Sequence, residues 1–224
     1  SENTGISGDK IISIPAVVDL KNFNFNISGE KVRNELGLSP HQPLIGIVSV
    51  IRSWKGHEHF VDSVPFVLEK FPDARFAIVG SGPAYESIRD RVKNQGLEKF
   101  IFVLGHRNNI PEIMAALDIH CVASFGMEGT TQVIPQAIAM KTPTVSTRMD
   151  SILPILGNGE WGILVEPENP QDMANGIMKF LNDPELARSM AETAYTFGKK
   201  ELSLDRMMDN IVTIYHDVLN NSNP

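Results

Sequence analysis

SFGMEGTTQVIPQAIAMKTPTV, residues 124–145, holds a loop, the start of a helix and a buried strand in one stretch. It follows Cys121-Val122-Ala123, the end of an apolar strand. Gly126, Gly129, Thr130 and Thr131 then read as a turn before an apolar helix that runs to about Met140. A loop that leaves a strand and enters a helix gathers backbone N–H groups without intrahelical partners, and these favour an anion. Pro135 fits only near the helix start, because deeper inside it would remove a hydrogen bond and clash with the preceding turn. Gly129, Thr130 and Thr131 therefore belong at the positive end. Glu128 is out of place in a site that invites negative charge, so its carboxylate is expected to meet something other than the anion. Gln136 follows in the helix, and if both residues were helical their side chains would stand roughly 12 Å apart along one edge, at the two ends of an extended polar ligand. An exposed loop glutamate and a solvated helix glutamine fit the same two residues.

Outward from this stretch, strands and helices alternate. LIGIVSVI, 44–51, is a continuous apolar run of the kind buried on both faces of a sheet. A helix over 57–71 carries Phe60, Val64, Val67, Leu68 and Phe71 at helical spacing, with Pro65 as a point of bending. Strands are expected at 75–79, 100–104, 119–123, 142–146 and 161–165, with helices between them to about Gln95 and over 110–117. Short elements are expected at 10–14 (strand), 29–36 (helix closed by Gly37) and 151–156 (helix). Three helices follow, over 171–181, 184–199 and 204–219, with Asn169, Asp183 and Ser203 as caps. The alternation from Leu44 to Leu181 with tight loops predicts an α/β fold, a doubly wound parallel sheet of about six strands in the Rossmann manner, with C-terminal helices.

The 224 residues suffice for a substantial core. A net charge of −7 argues against nucleic acid as the main partner, since phosphate backbones need a basic face. The single cysteine, Cys121, excludes an internal disulfide, fits a reducing cytoplasm, and in an apolar strand reads as structural. No apolar run reaches the length of a membrane span, and SENTGISGDK at the start has neither a basic nor an apolar segment.

In a doubly wound sheet ligands bind outside the carboxyl ends of the strands. Four loops there carry unusual residues: Arg52 and Lys55 after the first buried strand, Gly80-Ser81-Gly82-Pro83 after the second, His106 and Arg107 after the third, and Glu128 with its glycines after the fourth. Cations and a helix N-terminus on one rim would suit a diphosphate. Each signal has a plainer reading as a solvated charge or a turn. The dinucleotide fingerprint is incomplete, because Tyr85 stands where its third glycine belongs. His57 and His59 lack further ligands placed by sequence, so no metal is expected. Trp54 and Trp161 could stack on a ligand, though packing is the commoner use of an aromatic ring.

Taken together, the chain resembles the C-terminal, donor-binding half of retaining GT-B glycosyltransferases of group 1. The resemblance rests on IPAVVDLKNF (14–23), RSWKGH (52–57), VGSGP (79–83), LGHRNNIPEIMAALD (104–118), EGTTQVIPQAIAMKTPTVST (128–147) and GILVEPENPQDMANGI (162–177), in that order. It implies that Arg52 and Lys55 grip the donor diphosphate, aided by backbone amides of Gly129, Thr130 and Thr131. It implies that Glu128 bonds hydroxyls of the transferred sugar, and that the His106-Arg107 loop with Ile110 borders the base. Gln136 stands where the family has a second glutamate on the ribose; its amide oxygen can still accept a hydrogen bond, without the strength of a charged acceptor. Ala16 replaces a frequent asparagine. The whole chain, 1–224, is then expected to be the donor (nucleotide-sugar) domain, with an N-terminal acceptor domain outside it. The implied activity is transfer of a sugar from a nucleoside diphosphate sugar to an acceptor in glycan or polysaccharide synthesis, without metal or other cofactor and inactive in the isolated domain. The implied place is cytoplasmic, with any contact at the inner face of the membrane made through the other half. Rival readings are a nicotinamide-binding enzyme, from the Gly80-x-Gly82 turn; a non-catalytic flavodoxin-like interaction domain; and a sugar-phosphate isomerase akin to epimerases of this fold, whose catalytic carboxylates have no clear counterpart here.

Overall fold

The computed structural model describes residues 11–126, 129 and 131–221. Six strands form one parallel sheet: β1 (Leu44–Val48), β2 (Arg75–Val79), β3 (Ile101–Gly105), β4 (Ile119–Val122), β5 (Thr144–Thr147) and β6 (Ile163–Val165). Their order across the sheet is β3-β2-β1-β4-β5-β6. The chain winds one way from β1 to β3 and the other way from β4 to β6, so the direction reverses between β1 and β4, where Ile45 pairs with Ile119 and Ile47 with Cys121.

Both faces are covered by helices, which is why β1 is buried at all five positions. Alternate residues serve opposite faces. Ile45 and Ile47 join Phe76 and Ile78 of β2 in a core closed by α2 (His57–Lys70), α3 (Tyr85–Asn94) and α6 (Pro170–Asn182). Leu44 and Val48 join Ala77 and Val79 on the other face beneath α1 (Glu30–Glu35) and α4 (Ile110–Ala116). A third cluster lies between α5 (Val133–Ala139) and α7 (Pro184–Glu201), where Ile134, Ile138, Ile152, Leu156 and Ala194 meet. The last helix, α8 (Leu204–Asn221), follows α7.

The caps fall as expected: Asn169 accepts from the amide of Asp172, Asp183 from Leu186, and the Ser203 hydroxyl from Arg206. Pro65 lies on the exposed face of α2, which runs through it unbroken. Three expectations are corrected. Residues 11–14 are not a strand: Ile11 and Ile12 are half exposed, and Pro15, which has no amide, follows them. Among the described residues the first pairing is instead an isolated bridge from Val18 to Ser203. Residues 151–156 form successive turns rather than a helix, because Pro154 has no amide to donate and Gly157 turns left-handed. β1 stops at Val48, since Ser49 and Ile51 send their amides to Val79 and Ser81 in an irregular loop.

Candidate functional site

The loops leaving β1 and β4 meet where the winding reverses, and their backbones are locked together. The amide of Phe125 donates to Trp54 at 2.9 Å. Gly56 (φ 67°) lies so close to Ala123 that a Cβ there would stand 1.9 Å from the Ala123 carbonyl oxygen. A left-handed turn against a neighbouring strand therefore requires glycine at this position. The loop after β2 is tied in as well: Gly80 donates to Gly105, and a Cβ on Gly80 (φ 142°) would meet the Ser49 carbonyl at 1.9 Å. Close approach of two chain segments thus accounts for the Gly80-Ser81-Gly82 turn.

At this junction is a notch of about 10 Å³, bordered by Val48, Ser49, Lys55, Ser124, Thr131 and Val133. Lys55 ends a short 3-10 helix, Ser53–Lys55, and Thr131, 2% exposed, precedes α5. The first cationic loop and the threonine end of the central stretch, 76 positions apart in sequence by subtraction, face one crevice. Arg52 lies on the same loop, exposed, with its guanidinium over the Trp54 ring at 5.2 Å. Gly129 borders a second, open hollow of about 710 Å³ with Phe125, Arg148, Asp150 and Pro167, beyond the ends of β5 and β6. Glu128 and Thr130 lie outside the described residues.

The helix of the central stretch begins at Val133, with Gln132 as its N-cap, so Gly129 and Thr131 precede it rather than form its first turn. Pro135 is the third helical residue, where its missing amide would have had no intrahelical acceptor. Gln136 is half-buried within α5, and Gln132, one turn earlier, donates to the Val17 carbonyl. The loop after β3 is built differently from its reading as a cationic rim. Arg107 makes a two-pronged ion pair with Glu35 of α1 at 2.6 and 2.8 Å and donates to Asn109, so its guanidinium is turned to α1. His106 stays exposed, 3.0 Å from Asn108 Oδ1, and Ile110, the first residue of α4, is half-buried against the core cluster between the sheet and α1 and α4.

Three residues at the junction, Ser49, His57 and His59, make contacts the sequence did not suggest. His57 is 1% exposed, and its Nε2 lies 3.1 Å from the Ser49 hydroxyl. Burial, with the nearby charge of Lys55, lowers its pKa to about 4, so the ring is neutral. His59 meets Phe125 edge-on at 5.5 Å. A polar residue at the end of an otherwise apolar run was the available signal for Ser49. Among the described residues no group of three or more His, Cys, Asp or Glu is placed to hold a metal ion. Cys121 is buried, and burial raises its thiol pKa, which makes it unreactive.

Residues 28–197 match the model of the family Glycosyl transferases group 1, and the chain belongs to that family. A curated relative, N-acetyl-alpha-D-glucosaminyl L-malate synthase from Bacillus anthracis, is 28% identical over 189 residues, 84% of this chain and 49% of the relative. Among solved structures, a glycosyltransferase from Rickettsia africae superposes with a TM-score of 0.88 at 25% identity, over 97% of this chain and 59% of that one. HepE of Anabaena, crystallised with UDP and glucose, superposes with a TM-score of 0.87 at 22% identity, over 96% of this chain and 59% of its own. The fold is therefore that of GT-B glycosyltransferases. The chain spans about half the length of the curated relatives it matches.

Proposed function

We propose that this chain is the nucleotide-sugar-binding domain of a retaining glycosyltransferase, and that its donor lies across the β1/β4 junction. The observation that carries this reading is the meeting of Lys55 and Thr131 at one crevice where the sheet reverses direction. The family match and the fold shared with HepE, whose crystals held UDP and glucose, support it.

In this reading the diphosphate sits over the notch, held by Lys55 as a point charge and by Arg52 through its planar fork. Backbone amides of Gly129, Thr130 and Thr131 complete the cradle. As the bond to the sugar breaks, negative charge grows on the leaving diphosphate while the sugar gains oxocarbenium character. Cations already fixed in place stabilise that charge without reorganising. Glu128 is assigned the hydroxyls of the transferred sugar, Gln136 the ribose, and the His106-Arg107 loop with Ile110 the base. The reading asks no metal of the protein.

The acceptor is assigned to a further, N-terminal domain. An apolar face supports this: Leu204, Met208, Val212, Tyr215 and Val218 recur along one side of α8, each about half exposed or more. The polar residues of α8 include Asp205, Asp209 and Asp217 against Arg206, an acidic balance unsuited to an anionic membrane surface. No described helix is long and apolar enough to cross a membrane.

Calorimetric titration of the chain with UDP, GDP and ADP, with and without magnesium, tests the reading. Binding of one nucleotide, insensitive to magnesium, is expected. A nicotinamide-binding enzyme would instead bind NADH, and an interaction domain none of these ligands.

A further inference from the structure

We propose that Ser49 is an additional phosphate contact of this site and that His57 positions it, the ring Nε2–H donating to Ser49 Oγ so that the hydroxyl hydrogen points into the notch. The proposal rests on the donor-binding reading above.

Ser49 leaves β1 at the junction and borders the same notch as Lys55 and Thr131. Its backbone is immobilised, with its amide on Val79 and its carbonyl against Gly80. The hydroxyl has two neighbours, His57 Nε2 at 3.1 Å and the Val50 carbonyl at 3.4 Å. The second is at the outer limit of a hydrogen bond and holds the proton weakly. The ring of His57 is buried, and its Nδ1 has no partner. A proton on Nδ1 would therefore be a buried unsatisfied donor, whereas a proton on Nε2 is satisfied by Ser49 Oγ. With the hydroxyl oxygen accepting from the ring, its own hydrogen turns away from His57 and is available to an acceptor in the notch that Ser49 borders. A notch of about 10 Å³ has room for a group of one oxygen's size, such as one phosphate oxygen. A neutral donor beside a lysine adds direction to a point charge.

The test is calorimetry of the 224-residue chain with UDP, GDP and ADP and with the matching nucleosides. Ser49→Ala is expected to weaken the preferred diphosphate about tenfold, with nucleoside affinity and thermal midpoint unchanged. His57→Leu should lose a similar factor alone but nothing further in the Ser49→Ala background. His57→Gln, whose amide N–H can replace Nε2–H, should restore most of the loss. Should His57→Leu not fold, Ser49→Ala and His57→Gln decide alone. Unchanged diphosphate affinity in Ser49→Ala, alongside loss in Lys55→Ala, overturns the inference and leaves the donor reading standing. Absence of binding of all three diphosphates by the unaltered chain overturns both.

Discussion

Lys55→Ala is expected to weaken binding of the preferred nucleoside diphosphate at least tenfold while leaving the nucleoside nearly unaffected, because an ammonium at the notch acts on phosphate charge alone. Parallel titrations with both ligands check this, and equal losses would remove Lys55 from the phosphate. A second residue-scale prediction concerns the two buried imidazoles. His57 is lowered to about 4 by burial and then by Lys55, and His120 to about 3 by burial, with neither ring nitrogen of His120 partnered. Both titrate near 6.5 once the chain unfolds. The neutral rings therefore leave stability intact above about pH 6.5, and it falls as acid protonates the unfolded chain preferentially. At pH 5 each should contribute a loss of about 2 kcal/mol relative to pH 7. Urea denaturation at the two pH values measures it. His120→Met should shrink the drop by about one histidine's share, and an unchanged drop would show that His120 does not drive it.

Among elements, the loops leaving β1 and β4 approach each other closely, and Gly56 is what lets them do so. Gly56→Ala would put a methyl 1.9 Å from the Ala123 carbonyl in a left-handed backbone. A loss of about 3 kcal/mol in unfolding free energy is expected, by urea denaturation. The helices that follow the sheet make gentler demands. Asp183→Ala removes the acceptor for the Leu186 amide at the start of α7 and should cost about 1 kcal/mol, with a fall in thermal midpoint as the readout. The cap was legible in the sequence because Asp183 precedes Pro184 at the first helical position. The turns over 151–156 were not, since the apolar spacing of Ile152, Ile155 and Leu156 suits a helix while Pro154 denies it the hydrogen bond.

At the scale of the molecule, if an N-terminal domain seats on the apolar face of α8, as proposed, folding of this chain and assembly can be separated. Val212→Lys with Tyr215→Lys should change the stability of the chain by less than about 0.5 kcal/mol, because both side chains are exposed. The same pair should abolish co-purification with an N-terminal domain supplied in trans. Retention of that association by the doubly substituted chain would take the interface away from α8. The segment entering at Val18 runs beside the foot of this helix, bonding to Leu202 and bridging Ser203.

The alternation of strand and helix, the burial of the sheet on both faces and the helix caps were determined by the sequence alone. They depend on local patterning: apolar runs, helical spacing, and cap residues next to proline. The placement of loops after each strand was determined too, since in a doubly wound sheet each strand leads into a helix on one face. Partner choice across the fold was decided only by the tertiary structure. It gave Arg107 to Glu35 rather than to the rim, brought Thr131 rather than a first helical turn beside Lys55, and set the buried ring of His57 against Ser49. Nothing local in the chain specifies those pairs. Lys55 and Thr131 meet because β4 lies beside β1 and glycines let their loops touch, Arg107 and Glu35 because α1 packs on α4, which follows Arg107, and His57 and Ser49 because the loop leaving β1 folds back on the start of α2.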